Sequence, residues 1–354
     1  VAALFVAGGA LWWYRRRHES FWVWSSVLVA VFASGILRFH AGTLTIPLPS
    51  SVRVSLASIH ESIAAPFQQL FPSDEASLAT GLVIGVDTQF STKLRAAMRG
   101  SGTTHLVALS GYNVSIIIAS LLALLTRFMG RRQAVWTASC GIVFFTLVAG
   151  TQPSLVRAAI MGILALLAYE SGRVYRIHHA VLYAGTAMLV FGPSVLTNLG
   201  AQLSFLSLLG LVYIEPLLPF RAAVARRGLD VIREQVRTTT AAQLGVLPLV
   251  LLTFGRTNLL SVVANTLILP FVPLAMLLAV ITSFTALFLP AIVFLPALPL
   301  QLFLTYMVQV VYLFSHIMIP LQWQMTPLEA VLTTGAAAAA IGYAHHASRQ
   351  IPRR

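Results

Sequence analysis

Arg157 lies in Thr151-Gln-Pro-Ser-Leu-Val-Arg157-Ala-Ala, one turn after Pro153 and inside an apolar run. A guanidinium in that setting has two uses. Its apolar stem can snorkel so that the head reaches lipid headgroups, or the head can face an aqueous path and grip a phosphate through paired N–H donors. Three further clusters put polar groups into apolar runs: His105, Ser110, Gly111 and Asn113; then Gly200, Gln202, Ser204 and Ser207; then Gln243, Pro248, Asn258, Ser261, Asn265 and Pro270. Neutral amides and hydroxyls suit a moving polyanion, because they bind weakly at many places and release again. Each can equally be glue between helices, at about 0.6 kcal/mol a contact. For His105 alone, a hydrogen-bonded structural histidine is the simpler reading. Tyr112 and Phe205 are either packed core or platforms for bases. Outside these runs, Lys93, Arg95 and Arg99 form a basic stripe on Thr92–Arg99. It either meets solvent and headgroups or guides an anionic ligand.

Other chemistries lack their residues. The chain has no Gly-x-x-x-x-Gly-Lys-Ser/Thr loop for nucleotide phosphates and no His-Glu-x-x-His zinc motif. His178-His179 and His345-His346 lie in basic segments rather than beside carboxylates, and Cys140 is the single cysteine. No metal and no cofactor is expected. No carboxylate pair lies at membrane depth to act as acid and base, and His105 and Ser110, five residues apart, fall on different helix faces. The residues therefore point away from an enzyme.

Composition sets what must hold these groups. Apolar residues make up 58% of the 354 residues, charged residues 9%, and mean hydropathy is +0.84. A soluble chain carries about 25% charged residues. The fold class expected is all-α, a polytopic membrane helical bundle, with apolar runs near 1–14, 21–39, 104–126, 134–150, 154–170, 179–192, 197–215, 240–254, 259–289, 300–319 and 327–344. That gives about eleven spans. The run 259–289 is long enough to be broken, and its prolines fall near Asn265–Pro273.

The net charge of +13 sorts by loop. Basic residues follow alternate runs (Arg15–Arg17, Arg127–Arg132, Arg173–His179, Arg221–Arg237 and Arg349–Arg354), while Gly192–Asn198 and Pro320–Pro327 carry no lysine or arginine. The positive-inside rule then places these loops and the C-terminus in the cytoplasm and the N-terminus outside. The first residue is Val, without a cleavable leader pattern, which reads as a trimmed or partial chain. Four regions are expected: an N-terminal transmembrane hairpin over 1–40, an external segment with interfacial amphipathic helices over 41–102, a core over 103–290, and C-terminal transmembrane helices with a basic tail over 291–354. In the external segment Val52, Leu56, Ile59, Ile63, Phe67 and Leu70 form one apolar stripe, with Pro66 predicted to bend or interrupt it.

In order and spacing these clusters resemble the competence domain of ComEC proteins. The residues that carry the resemblance are Gly81-Leu-Val-Ile-Gly85-Val-Asp87, His105-Leu-Val-Ala-Leu-Ser-Gly111-Tyr-Asn-Val and Pro153-Ser-Leu-Val-Arg157, then Gly192-Pro193 with Asn198-Leu-Gly-Ala-Gln202-Leu-Ser204-Phe205, then Gln243 to Pro248 with Asn265 to Pro270. They span about 76–290. The resemblance implies an inner-membrane channel that passes single-stranded DNA into the cytoplasm during natural transformation. A separate DNA receptor, cytoplasmic DNA motor and nuclease would be its partners, alongside membrane lipids. A full external OB-type domain and the metallo-β-lactamase-like motif found in many members do not appear, so a nuclease role does not carry over. Asn113 stands where the family usually has histidine, replacing a titratable group with an amide. The alternative is a secondary transporter of a small anionic or lipid-like substrate, which predicts inverted repeats and a midplane carboxylate that the sequence does not display.

Overall fold

The computed structural model describes residues 50–85, 90–104, 111–150, 152–218, 228–317, 319–326, 328–330 and 332–336. The expected spans 1–14 and 21–39, and much of 327–344, lie outside the described residues. The elements are α1 Ser50–Leu70, α2 Ser73–Ile84, α3 Thr92–Ser101, α4 Gly111–Leu125, α5 Arg131–Val148, α6 Pro153–Glu170 and α7 Ile177–Phe191. There follow α8 Leu199–Tyr213, α9 Gly228–Phe254, β1 Arg256–Asn258, α10 Ser261–Ile268, α11 Val272–Phe288, α12 Phe294–His316 and β2 Pro320–Gln322. The chain divides into two compact units, one of residues 45–185 and 263–318, the other of residues 1–44, 186–262 and 319–354.

The protein is an all-α membrane protein. Among the described residues, five helical stretches are long and apolar enough to cross a bilayer: Pro153–Glu170, Leu199–Leu217, Ile232–Phe254, Ser261–Phe288 and Phe294–His316. These five support an all-α membrane protein but not the count of about eleven spans, several of which lie outside the described residues. The run near 179–192 yields a helix of 15 residues, about 22 Å long against a hydrocarbon core of about 30 Å. The run near 134–150 sits in α5, which opens on Arg131-Arg132-Gln133.

In the first unit, α11 and α12 show how these helices meet lipid and protein at once. On α11 the small and slender residues Val272, Ala275, Met276, Ala279, Thr282 and Ser283 are buried, while Leu277, Val280, Phe284 and Phe288 are exposed. Small residues on the inner face let backbones approach, and the bulky apolar face suits acyl chains. α1, α2 and α12 pack around α11, and α3 packs on α12, in one core centred on Phe67, Leu82, Leu94, Ile268, Leu300, Leu304 and Met307. The second half of the α1 stripe joins that core through Phe67, with Ile63 and Leu70 packed against it. Pro66 does not interrupt α1, which runs on to Leu70. Packing offsets the lost N–H, and Ser283 Oγ donates to the Ile63 carbonyl at 3.3 Å beside that turn. The break expected in 259–289 is present, as α10 gives way to a 3₁₀ turn at Leu269–Phe271 before α11. Pro270 and Pro273 cannot donate the N–H groups a continuous helix needs.

In the other unit, α8 and α9 touch backbone to backbone. A Cβ on Gly245 would stand 2.6 Å from the Leu206 carbonyl oxygen, and one on Gly210 would overlap the Ala241 carbonyl. β1 and β2 pair antiparallel with Arg256 opposite Gln322, Thr257 opposite Leu321 and Asn258 opposite Pro320.

Candidate functional site

Three of the sequence motifs converge in the unit formed by residues 45–185 and 263–318. α2 ends on Gly85, whose left-handed conformation (φ 79°) turns the chain and returns its N–H to the Gly81 carbonyl. Gln152 Nε2 donates to the Gly85 carbonyl at 3.2 Å, tying this turn to the residue just before α6. Pro153 occupies the first turn of α6, where its missing N–H costs nothing. The start of α4 joins through Val114, buried with Ala149, Leu155 and Ala158. The Gly81–Gly85, Gly111–Val114 and Pro153–Arg157 segments thus meet at the ends of α2, α4 and α6. Gly111 and Asn113 lie in the first turn of α4; His105 and Ser110 lie outside the described residues.

Arg157 is 6% exposed. Its guanidinium is packed inside the protein rather than snorkelled outward, with Nη1 3.9 Å from Met161 Sδ. Tyr175 acts on it electrostatically. α6 continues for 13 residues past Arg157 to Glu170, about 20 Å at the helical rise, so the segment after α6 turns back beside that helix. Burial pushes the Tyr175 phenol above its ordinary value, and the Arg157 charge pulls it partly back. Sequence reading missed Tyr175, because nothing in a loop sequence announces a return along the preceding helix. At the far end of α6, Glu170 pairs with Arg132 at 4.0 Å rather than with the adjacent Arg173.

The basic stripe divides. Lys93 and Arg99 are exposed on α3, while Arg95 is half-buried beside Leu94 and Met98. Lys93 Nζ lies 4.9 Å from the Tyr312 ring centroid. The Tyr312 hydroxyl donates to Asp74 Oδ2 at 2.5 Å, and Ser91 Oγ donates to Asp74 Oδ1 at 2.7 Å while capping the Leu94 N–H. Lys93 therefore belongs to a link between α2, α3 and α12 as well as to an exposed face.

Within the other unit, Asn198 caps α8 by accepting from the Ala201 N–H at 3.0 Å, and Gln202 Nε2 donates to the Leu196 carbonyl at 2.6 Å. These contacts fix the turn before α8. Ser204 lies half-buried one turn further on. Gln243 Nε2 donates to Ser261 Oγ at 2.9 Å, and Ser261 donates to the Asn258 carbonyl. Gln202 and Gln243 thus serve helix junctions. Asn265, in the unit of Arg157, is different: it is 0% exposed, and neither atom of its amide has a hydrogen-bond partner among the described residues. It sits on α10, just before the helix break. No group of three His, Cys, Asp or Glu side chains gathers among the described residues as a metal would require.

The family model described as "Competence protein" matches residues 82–348. The chain belongs to the competence protein family. Among its relatives, "ComE operon protein 3" of Bacillus subtilis (strain 168) is 27% identical over 225 residues, which cover 63% of this chain and 28% of that protein. The chain spans less than a third of the length of that curated relative. No solved structure matches it. In this competence protein the family match opens at Leu82, on the last turn of α2, and so takes in the Gly85 turn, the starts of α4 and α6, and the Asn265 break.

Proposed function

We propose that this competence protein is an inner-membrane channel for single-stranded DNA, conducting it to the cytoplasm during natural transformation. The observation that carries this reading is Arg157, a guanidinium buried inside a membrane-length helix where three family segments meet. A charge at such depth is costly and is found facing protein interiors and aqueous paths rather than lipid. A permanent cation with a planar donor fork suits phosphodiesters, which every DNA sequence presents. Lys93 and Arg99 would collect the strand on the outer side, and Asn113, Ser204, Asn265 and the amides of Gln202 and Gln243 would supply weak neutral contacts along the way. The protein makes and breaks no covalent bond in this scheme. A separate receptor, a cytoplasmic motor and an external nuclease supply the other steps. The basic loops and C-terminus face the cytoplasm, as the positive-inside rule directs.

The test is uptake of fluorescent DNA by cells carrying Arg157→Gln or Arg157→Lys, with insertion checked by protease protection. Arg157→Gln should lower uptake at least tenfold, and Arg157→Lys should restore part of it. Full uptake in a correctly inserted Arg157→Gln protein would end the proposal. The helix break at Leu269–Phe271 also suits a transporter of small anions. That reading wins if purified protein in vesicles moves inorganic phosphate and ignores oligonucleotides.

A further inference from the structure

The loop between α4 and α5, the start of α5 and the end of α6 come together at one end of a three-helix group. Arg131 lies 4.2 Å from the Tyr169 ring centroid and donates to the Tyr169 carbonyl, and Arg132 pairs with Glu170. Arg127 and Arg173 are exposed at the same end, and their side chains make no ion pair or hydrogen bond among the described residues. Apolar side chains interrupt these cations: Phe128 is 79% exposed and Val174 is 85% exposed. From this end an exposed apolar stripe runs down α5 through Trp136, Val143, Phe144 and Leu147. It extends about 16 Å at the helical rise.

We infer that this end of α4–α6 binds anionic phospholipid, with the headgroup phosphate held by Arg127 and Arg173 and an acyl chain laid along Trp136, Val143 and Leu147. Charge complementarity supplies the first half of the argument. Unpaired guanidinium groups present bidentate donors to phosphate, and basic clusters at membrane level select anionic headgroups. The stripe supplies the second half, and it discriminates between polyanions. A nucleic acid strand would use the arginines and leave a continuous apolar helix face uncovered. A phospholipid uses both, with Phe128 and Val174 at the boundary between headgroup and chain. The inference stands apart from DNA conduction, since it involves neither Arg157 nor the exposed face of α3.

Purified full-length protein in mild detergent would be titrated with phosphatidylglycerol, phosphatidylcholine, inorganic phosphate and an oligothymidylate, with bound lipid counted by native mass spectrometry. Phosphatidylglycerol should bind at least tenfold more tightly than phosphatidylcholine. An arginine near an anionic surface is worth about fivefold in binding, so R127Q/R173Q should cost roughly 25-fold. The charge-matched control R233Q/R256Q should keep the preference. Phosphatidylglycerol with brominated acyl chains should quench tryptophan fluorescence in the wild-type protein and less in W136F, a conservative change at an exposed site. The proposal is overturned if the double arginine variant keeps its lipid preference. It is overturned equally if inorganic phosphate displaces the lipid, or if oligothymidylate rather than phosphatidylglycerol is lost with these arginines.

Discussion

Asn265 separates structural from functional demands on a single side chain. Its amide is fully buried without a partner among the described residues, and such a group costs about 1–3 kcal/mol relative to an apolar side chain of similar shape. Asn265→Leu should therefore leave thermal stability unchanged or raise it by a few degrees, while lowering DNA uptake several-fold. A variant that melts lower and still takes up DNA normally would mean that the amide serves only packing. His60 gives a prediction about pH. It is half-buried on α1, and burial holds its pKa below the ordinary 6.5. Folding then disfavours the imidazolium, so the unfolded chain binds the proton more readily. The stabilising contribution is complete above pH 6.5 and is lost as pH falls through the lower folded value. Melting temperature should drop between pH 7 and the acid side in the wild-type protein, and the drop should shrink in His60→Gln. Equal acid sensitivity in both would assign the effect to other groups.

At the scale of elements, the contact of α8 with α9 depends on two glycines that let carbonyls of one helix face the backbone of the other. Gly210→Leu has no room, since its Cβ already meets the Ala241 carbonyl, and overpacking of this kind costs about 1–3 kcal/mol or more. Gly210→Leu and Gly245→Leu should each reduce the yield of folded protein, measured by fluorescence-detected size exclusion, whereas Gly150→Asn should be nearly neutral, because Gly150 stands in open space at φ 90° and Asn tolerates that conformation. What the sequence made legible follows from the range of the physics. The helix break was readable because Pro270 and Pro273 act on their own backbone, and the α6 start was readable because Pro153 sets its own φ. The link from Asp74 to Tyr312 joins residues 238 apart in sequence, and the return of Tyr175 toward Arg157 depends on a loop path. Neither leaves a local signature. Pro66 failed as a helix-breaking signal for the complementary reason, since the packing of Ala64 and Phe67 outweighs a local penalty. Span number is not legible from apolarity alone, because apolarity marks a helix but length decides whether it crosses.

For the whole molecule, the pairing of β1 with β2 constrains topology more directly than charge does. Asn258 and Pro320 are partners in one two-stranded sheet, so the segment between them begins and ends on the same side of the membrane. That segment contains the membrane-length stretches Ser261–Phe288 and Phe294–His316. Two crossings satisfy the constraint and one does not, and the prediction is that the turn around Pro290–Ile292 is reached only from the opposite side. The sparse charge of 254–258 and 320–327, with Arg256 their single basic residue, fits an external location under the same rule that sends Arg233 and Arg237 inward. Starting from Cys140→Ser, single cysteines at Thr257, Leu321 and Arg233 can be tested on intact spheroplasts with a membrane-impermeant maleimide. Thr257→Cys and Leu321→Cys should both label, and Arg233→Cys should label only after permeabilisation. In the double variant Thr257→Cys/Leu321→Cys, oxidation should join the two loops, because these residues face each other in the β1–β2 register. Labelling of one strand position from outside and the other from inside would rule out the two-crossing topology, whatever the charges of the remaining loops imply.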